Sequence, residues 1–273
     1  QHPPLRRQRQ MCIRDSTLLS TATRRPIDIV EISCPGARDA MFNMDDSKIF
    51  TTCQQEPKGM AVIDVEARKE IKMVPIKGGR AGGMDPQGKY FMVSASKSVH
   101  FFDSQTAELV KTIKVPGGGG NFTCLKDGSK CYVGLRKANA VGVIDMAKLE
   151  LMKTIETGPD ANRLYLNPGN SRYGLFANEA GKSDIVSIID TQLDVKVKDI
   201  WTGLGPHNVA FDPDGKFAVI STKKENVATL VDTGSADPNN WDVITTDLDS
   251  GIQNNGVRWV PSPAALKKAL AQN

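Results

Sequence analysis

Aromatic residues, histidines and long apolar runs are all scarce in this sequence. Phe, Tyr and Trp together make up 6% of the 273 residues, and the only histidines are His2, His100 and His207. No two His, Cys, Asp or Glu residues stand at a recognised metal-binding spacing such as HExxH or CxxC. Gly-x-Ser-x-Gly is absent, so no hydrolase-type nucleophile elbow is present. These absences disfavour a metalloenzyme or a triad hydrolase built on contiguous motifs, although a site assembled from separate repeats escapes that test. No run of eighteen uncharged apolar residues occurs, which excludes a membrane-spanning helix. A hydrophobic fraction of 40% excludes a disordered chain, and the length suits one large all-β domain or two average ones.

The formal net charge of +4 is unevenly placed. Residues 6–16, RRQRQMCIRDS, resemble the translation of a transposase adapter used in preparing sequencing libraries. Residues 1–16 are therefore expected to be a non-native, adapter-derived segment, with the natural sequence beginning near Thr17. Setting aside 6–16 removes four Arg and one Asp and leaves a net charge of +1. The basic balance thus gives no support to a nucleic-acid partner or an anionic membrane surface.

The rest of the chain repeats. Apolar runs end in Asp at Asp64, Asp103, Asp145, Asp190 and Asp232, at intervals of 39, 42, 45 and 42 residues. Turns end in a basic residue at Lys48, Lys89, Lys130, Arg172 and Lys216, at intervals of 41, 41, 42 and 44. Two markers sharing one period near forty-two indicate a repeat architecture. Within a repeat, Val209–Phe211, Phe217–Ser221 and Val227–Asp232 are β-branched and aromatic runs punctuated by turn residues. Pro213-Asp214-Gly215 and Asp127-Gly128 supply tight hairpin turns. A fourth alternating run follows, as in Ala107–Val115. Four strands per forty-odd residues describe a β-propeller blade.

The strings GPHNVAFDPDGKFAVIST and VATLVDT resemble the YVTN-type β-propeller repeat family. The resemblance spans about 17–261, is close at 205–233, and departs at 37–50 and 79–90, where the Pro-x-x-(V/I)-A portion is lost. It implies an all-β propeller of four-stranded blades, with five complete blades and partial terminal ones, from a parent of seven or eight. The propeller domain is assigned to 17–261. Leu18–Thr21 aligns with a third strand and Ile27–Ile32 with a fourth, so the chain is expected to enter in mid-blade, while Gly256–Val260 reads as a first strand. Residues 262–273 read as a short C-terminal helical tail, with Ser262 as its cap and Pro263 at its first position.

In propellers the inter-blade loops meet at one mouth of the central channel. Alignment places Arg38, Asp39, Arg80, Asn121, Asn162, Arg163, His207, Asn208, Asn254 and Asn255 there. Of these, Arg38, Arg80, Asn121, Asn162, Arg163, His207, Asn208 and Asn255 are the candidate ligand-binding residues, a set of donors suited to a polar or anionic ligand. Gly117–Gly120 and Gly78–Gly83 read as inter-blade turns rather than phosphate loops. The recurring Asp has, in related repeats, the role of accepting hydrogen bonds from the turn that follows. His100 reads as a packing residue.

Counting outward from Asp127-Gly128 as a two-residue turn sets Cys124 opposite Cys131. A cross-strand disulfide and free buried thiols both remain open there, and Cys34 and Cys53 have no evident mates. The expected function is a non-enzymatic binding or scaffold module that presents its channel mouth to a protein partner or a small polar ligand, with no cofactor, metal, nucleic acid or membrane span. The family resemblance implies a periplasmic or extracellular place. The alternative it implies is a propeller domain of an oxidoreductase, haem- or quinone-linked, or a lactonase-like hydrolase; in the haem version His207 is the candidate ligand or proton donor.

Overall fold

A computed structural model describes residues 15–249 apart from 21, 22, 24, 34, 180, 182 and 226. Its described residues form a nearly all-β protein with five four-stranded antiparallel sheets arranged as propeller blades. The chain opens on a hairpin of β1 (Asp15–Leu19) and β2 (Pro26–Glu31), in which Thr17 faces Ile29. This hairpin is the half blade expected from the alignment of 18–32. The first full blade comprises β3 (Ala37–Phe42), β4 (Lys48–Cys53), β5 (Gly59–Asp64) and β6 (Lys69–Pro75). The next runs through β7 (Ala81–Met84), β8 (Tyr90–Ser94), β9 (Ser98–Asp103) and β10 (Leu109–Lys114). The third has β11 (Phe122–Cys124), β12 (Lys130–Leu135), β13 (Ala140–Asp145) and β14 (Glu150–Glu156). The fourth has β15 (Ala161–Leu166), β16 (Tyr173–Asn178), β17 (Ile185–Asp190) and β18 (Val195–Trp201). The fifth has β19 (Pro206–Phe211), β20 (Phe217–Thr222), β21 (Val227–Asp232) and β22 (Asp242–Asp249). The strand expected at 256–260 and the helical tail at 262–273 lie outside the described residues.

The chain divides into two compact units, Gln1–Gly128 and Ser129–Asn273. In each, the middle strands are buried on both faces and the outermost strands are largely exposed. All six residues of β16 are buried, whereas β14 buries only Ile155. Neighbouring blades cover both faces of a middle strand, so its sequence is continuously apolar, as in Val186–Ile189 apart from Ser187. In the first unit Phe50 stacks on Phe91 at 5.1 Å between centroids, within a cluster that includes Met60, Val62, Val93 and Ala95. In the second, Trp241 meets Tyr173 edge-on at 6.0 Å over Leu175, Val231 and Ile220.

Lysines tie one blade to the next. Lys72 of β6 donates to the Ala107 carbonyl at 3.0 Å and to Glu108 at 2.6 Å. Lys130 of β12 reaches the Thr191 carbonyl and Asp194, and Tyr132 donates to the same Asp194 at 2.6 Å. Burial, together with the hydrogen bond to Asp194, pushes the Tyr132 phenol well above its ordinary pKa, so it stays protonated. Lys198 of β18 caps the Asn239 and Trp241 carbonyls, both at 2.7 Å.

The recurring Asp residues do what the repeat implied. Each ends a third strand and accepts backbone N–H groups from the turn after it. Asp103 takes Gln105 and Thr106, Asp145 takes Ala147 and Lys148, and Asp190 takes Gln192 and Leu193, all at 2.8–3.1 Å. Asp64 takes Ala67 and Asp232 takes Gly234. Four positions past the Asp, Arg68, Ala107, Leu149 and Asp194 carry positive φ values of 50–58°, the left-handed residue that closes each turn. The chain after Asp232 departs from this, with a 3-10 turn at Pro238–Asn240 instead.

The hairpins between first and second strands are wider than the two-residue turns expected. Asp85 N donates to Tyr90 O at 3.0 Å while Tyr90 N donates back to Asp85 Oδ1 at 2.5 Å, so four residues lie between the paired ones. Asp212 and Phe217 repeat the arrangement. The acidic side chain caps the loop and makes the wider turn stable. Gly82 and Gly83, read above as part of an inter-blade turn, lie in strand β7. A Cβ on Gly82 would stand 2.6 Å from the Phe91 ring, and one on Gly83 would stand 2.9 Å from Phe122 Cβ, so this strand packs too closely for a side chain. Gly117–Gly120 does connect two blades, and a Cβ on Gly118 would stand 2.0 Å from Ala95 O.

Cys53, Cys124 and Cys131 are each disulfide-bonded. That closes the alternative left open for Cys124 and Cys131, and corrects the reading of Cys53 as having no mate.

Candidate functional site

The strongest convergence of polar side chains among the described residues lies in the second unit, on the carboxylate of Glu179. Glu179 follows the last residue of β16, and its backbone N–H bonds to Asp160 O at 3.1 Å. Its side chain is only 6% exposed. Oε2 accepts from Arg136 Nη1 at 2.6 Å. Oε1 lies 2.5 Å from both His207 Nε2 and Lys223 Nζ. Arg136 belongs to the preceding blade, just past β12; His207 and Lys223 belong to the following one, on β19 and just past β20. One carboxylate thereby joins three consecutive blades.

Burial alone pushes the Glu179 carboxyl up, but hydrogen bonds from His207, Lys223 and Arg136 outweigh it and hold the group far below the ordinary carboxylate range. It is an anion at any physiological pH.

The donors are themselves held in place. Arg136 Nη2 pairs with Asp160 Oδ2, and Nη1 also reaches Asn162 Oδ1 at 3.1 Å. Asp160 adopts φ 58°, the left-handed conformation that Gly36 and Gly205 supply at the starts of other blades. On the other side, His207 Nδ1 faces Asn208 Nδ2 at 2.9 Å, and Asn208 Oδ1 accepts from the Tyr165 hydroxyl at 2.5 Å. Since the amide oxygen serves Tyr165, the amide nitrogen faces the ring and donates to Nδ1. The ring proton then sits on Nε2 and points at Glu179. Both nitrogens of His207 are engaged, so iron ligation by His207 requires breaking one of these bonds.

Of the residues proposed from sequence, Asn162, His207 and Asn208 meet in this network, and Arg163 lies beside it with its guanidinium 5.3 Å from the Tyr165 ring centre. Arg38, Arg80 and Asn121 belong to the first unit. There Arg38 is exposed with Nε 3.4 Å from Asp39 Oδ1, and Asp39 Oδ2 accepts Gly82 N at 3.2 Å. The Arg80 carbonyl accepts from Gln54 Nε2 at 3.0 Å. Asn121 stands just before β11. Asn254 and Asn255 lie outside the described residues. His100 packs as expected, bonded to Ser98 and Thr112 hydroxyls and stacked on Phe102.

Sequence reasoning missed Arg136, Glu179, Lys223, Asp160 and Tyr165. The signal for the first three was present: each follows the second strand of its blade, six or seven residues after the repeated basic residue at 130, 172 and 216. Reading the repeat at that register as well as at the inter-blade loops exposes the series Arg, Glu, Lys. Among the described residues no group of three or more His, Cys, Asp or Glu is placed to hold a metal ion, and no helix is long and apolar enough to cross a membrane.

No family model matches the chain, and none of the curated proteins matches it. Solved structures do resemble it. Hydrazine synthase of Kuenenia stuttgartiensis is 16% identical with a TM-score of 0.68, covering 92% of this chain and 84% of that one. A candidate 6-phosphogluconolactonase from Bacteroides fragilis is 17% identical at 0.67, covering 87% and 78%. A functionally unknown protein from Desulfotomaculum acetoxidans is 14% identical at 0.64, covering 85% and 76%. At such identities the likeness concerns the fold alone.

Proposed function

We propose that the chain is a non-enzymatic β-propeller binding module of the YVTN-repeat type, whose polar inter-blade face takes a small polar or anionic ligand or a partner protein. The observation that carries this reading is the Glu179 network, where donors from separate blades converge at a partly open surface. Lys223 is one-third exposed there, and Arg163 is exposed beside it. The network positions charge without presenting a reactive group: His207 has both ring nitrogens engaged, and the carboxylate beside it is held ionised by cations. The disulfide-bonded cysteines support a periplasmic or extracellular place, where such bonds persist.

The alternative is an enzymatic propeller. Its support is fold likeness to a hydrazine synthase and to a candidate lactonase, together with a His207–Glu179 pair at hydrogen-bond distance. Two assays on the full chain separate the readings. A rise in thermal midpoint with gluconate, citrate or inorganic phosphate, diminished in Arg163→Ala, is the expected result. No rise with any of the three removes the small-ligand form of the proposal. Turnover of δ-gluconolactone abolished by His207→Ala, or a haem absorption band shifted by that substitution, overturns the non-enzymatic reading.

A further inference from the structure

We propose that Arg136, His207 and Lys223 form a carboxylate-binding cradle, and that Glu179 occupies it as the chain's own stand-in for an external carboxylate. The inference rests on reading this face as a binding surface and names the ligand class that the surface takes. Three features carry it. The two oxygens of Glu179 are shared between opposite walls: Oε2 goes to Arg136 at 2.6 Å, and Oε1 to His207 and Lys223 at 2.5 Å. A bridging carboxylate with donors on both edges is the arrangement by which proteins recognise carboxylate ligands.

The walls also stand without their occupant. Arg136 is fixed by Asp160 and Asn162. His207 is fixed by Asn208, which Tyr165 fixes in turn. These anchors lie on β15, β19 and the residue before β15, so loss of the Glu179 side chain leaves them in place. The charge favours refilling, since without Glu179 the Arg136 guanidinium keeps Asp160 while Lys223 loses the carboxylate it pairs with. Lys223 has three N–H donors and gives one to Glu179, so part of its capacity is already available to an incoming anion. In this scheme Glu179 competes with ligand, and the affinity of the module for a carboxylate is set by how readily that side chain leaves.

The test is chemical rescue. Glu179→Ala in the full chain is melted in sodium formate and in sodium chloride at matched ionic strength. Formate is expected to raise the midpoint of the variant saturably, by about 3 °C or more beyond chloride, while wild type shows no such difference because Glu179 already fills the cradle. Adding Arg136→Met to Glu179→Ala is expected to abolish the formate response. Equal responses to formate and chloride overturn the proposal, as does a formate response that survives Arg136→Met. If Glu179→Ala is unfolded in chloride, recovery of its near-ultraviolet circular dichroism in formate supports the cradle and failure to recover overturns it. The gluconate, citrate and phosphate assay on wild type is independent, so loss of the cradle does not by itself remove the binding-module reading.

Discussion

Directly after the second strand of each blade, the first unit carries Gln54 and Ala95 and the second carries Arg136, Glu179 and Lys223. The register is the same, and the solutions differ. Ala95 is fully buried among Phe50, Phe91 and Val93, and Gln54 gives its amide to the Arg80 carbonyl. Apolar contact and neutral hydrogen bonds therefore fill this level of the first unit. In the second, a positive, negative, positive series lets the middle residue pair with both neighbours. The comparison shows that a propeller repeat fixes where a side chain goes without fixing what holds it there. Packing at Ala95 has no alternative partner, whereas a carboxylate held by cations can in principle be exchanged for another anion.

The largest expected effect breaks the second solution. Glu179→Ala leaves Arg136 and Lys223 without their shared anion and is expected to cost about 3 kcal/mol in urea unfolding. The value sits at the low end for a buried pair because Lys223, one-third exposed, turns to water. Gln54→Ala removes one neutral hydrogen bond at the same register and is expected to cost about 1 kcal/mol. Equal costs would remove the distinction between the units. The pH dependence follows from the depressed Glu179 pKa. A carboxylate whose folded pKa lies below its unfolded value contributes stability that is fully present above the unfolded value, near 4.3. That contribution is lost as pH falls towards the folded value. The gap between wild type and Glu179→Gln is thus expected to stay constant down to about pH 5 and to narrow progressively below about pH 4. A gap that widens in acid contradicts the assignment.

A smaller effect comes from forcing the second solution on the first unit. Ala95→Glu places a long acidic side chain where no space exists, since Ala95 is 0% exposed and its carbonyl already lies against Gly118. Overpacking of this kind is expected to cost about 1–3 kcal/mol. Adding Gln54→Arg is expected to recover little, because the core and not the charge sets the cost. Substantial recovery in the double variant would show that the first unit also tolerates an ion pair at this level.

The fold was legible because its signals recur. One Asp at the end of a strand means little, but five at one period, each capping a turn through backbone N–H groups, define the blades and their order. The strand limits Val227–Asp232 followed from a β-branched run and hold as read, while Phe217–Ser221 extends by one residue to Thr222. The half blade of β1 and β2 was visible for the same reason. The Glu179 network was half legible. Asn162, His207 and Asn208 came from aligning the inter-blade loops, but their partners lie on a different register of the repeat, just after the second strand. Nothing in Glu179 itself marks it, because a lone Glu after an apolar strand usually points to water. Only the adjacency of consecutive blades turns a residue at each of three sequence-distant positions into one cluster. The open turn at Asp85 and the strand status of Gly82 were hidden for another reason: each depends on a neighbouring side chain, the Asp85 carboxylate and the Phe91 ring.

The two histidines in described residues extend the comparison to its smallest effect. His100 in the first unit is bonded through both nitrogens to hydroxyls, of Ser98 and Thr112. A hydroxyl rotates to donate or accept, so either neutral tautomer of His100 is satisfied, and burial lowers its pKa and keeps it neutral. His207 in the second unit faces an amide whose orientation Tyr165 fixes, so a single tautomer with the proton on Nε2 is imposed. Tyr165→Phe removes the hydroxyl, at an expected cost of about 0.5–1.5 kcal/mol, and frees the Asn208 amide to turn. Long-range nitrogen–proton correlation spectra at pH 7.5 are then expected to show His207 as the Nε2–H form in wild type and still in Tyr165→Phe, because the Glu179 anion requires that proton, with the Nδ1 resonance displaced in the variant and His100 unchanged. An Nδ1 resonance that is the same in wild type and Tyr165→Phe would mean that Asn208 does not orient the ring. The Nε2 donor that His207 directs at Glu179 would then owe its position to the carboxylate alone.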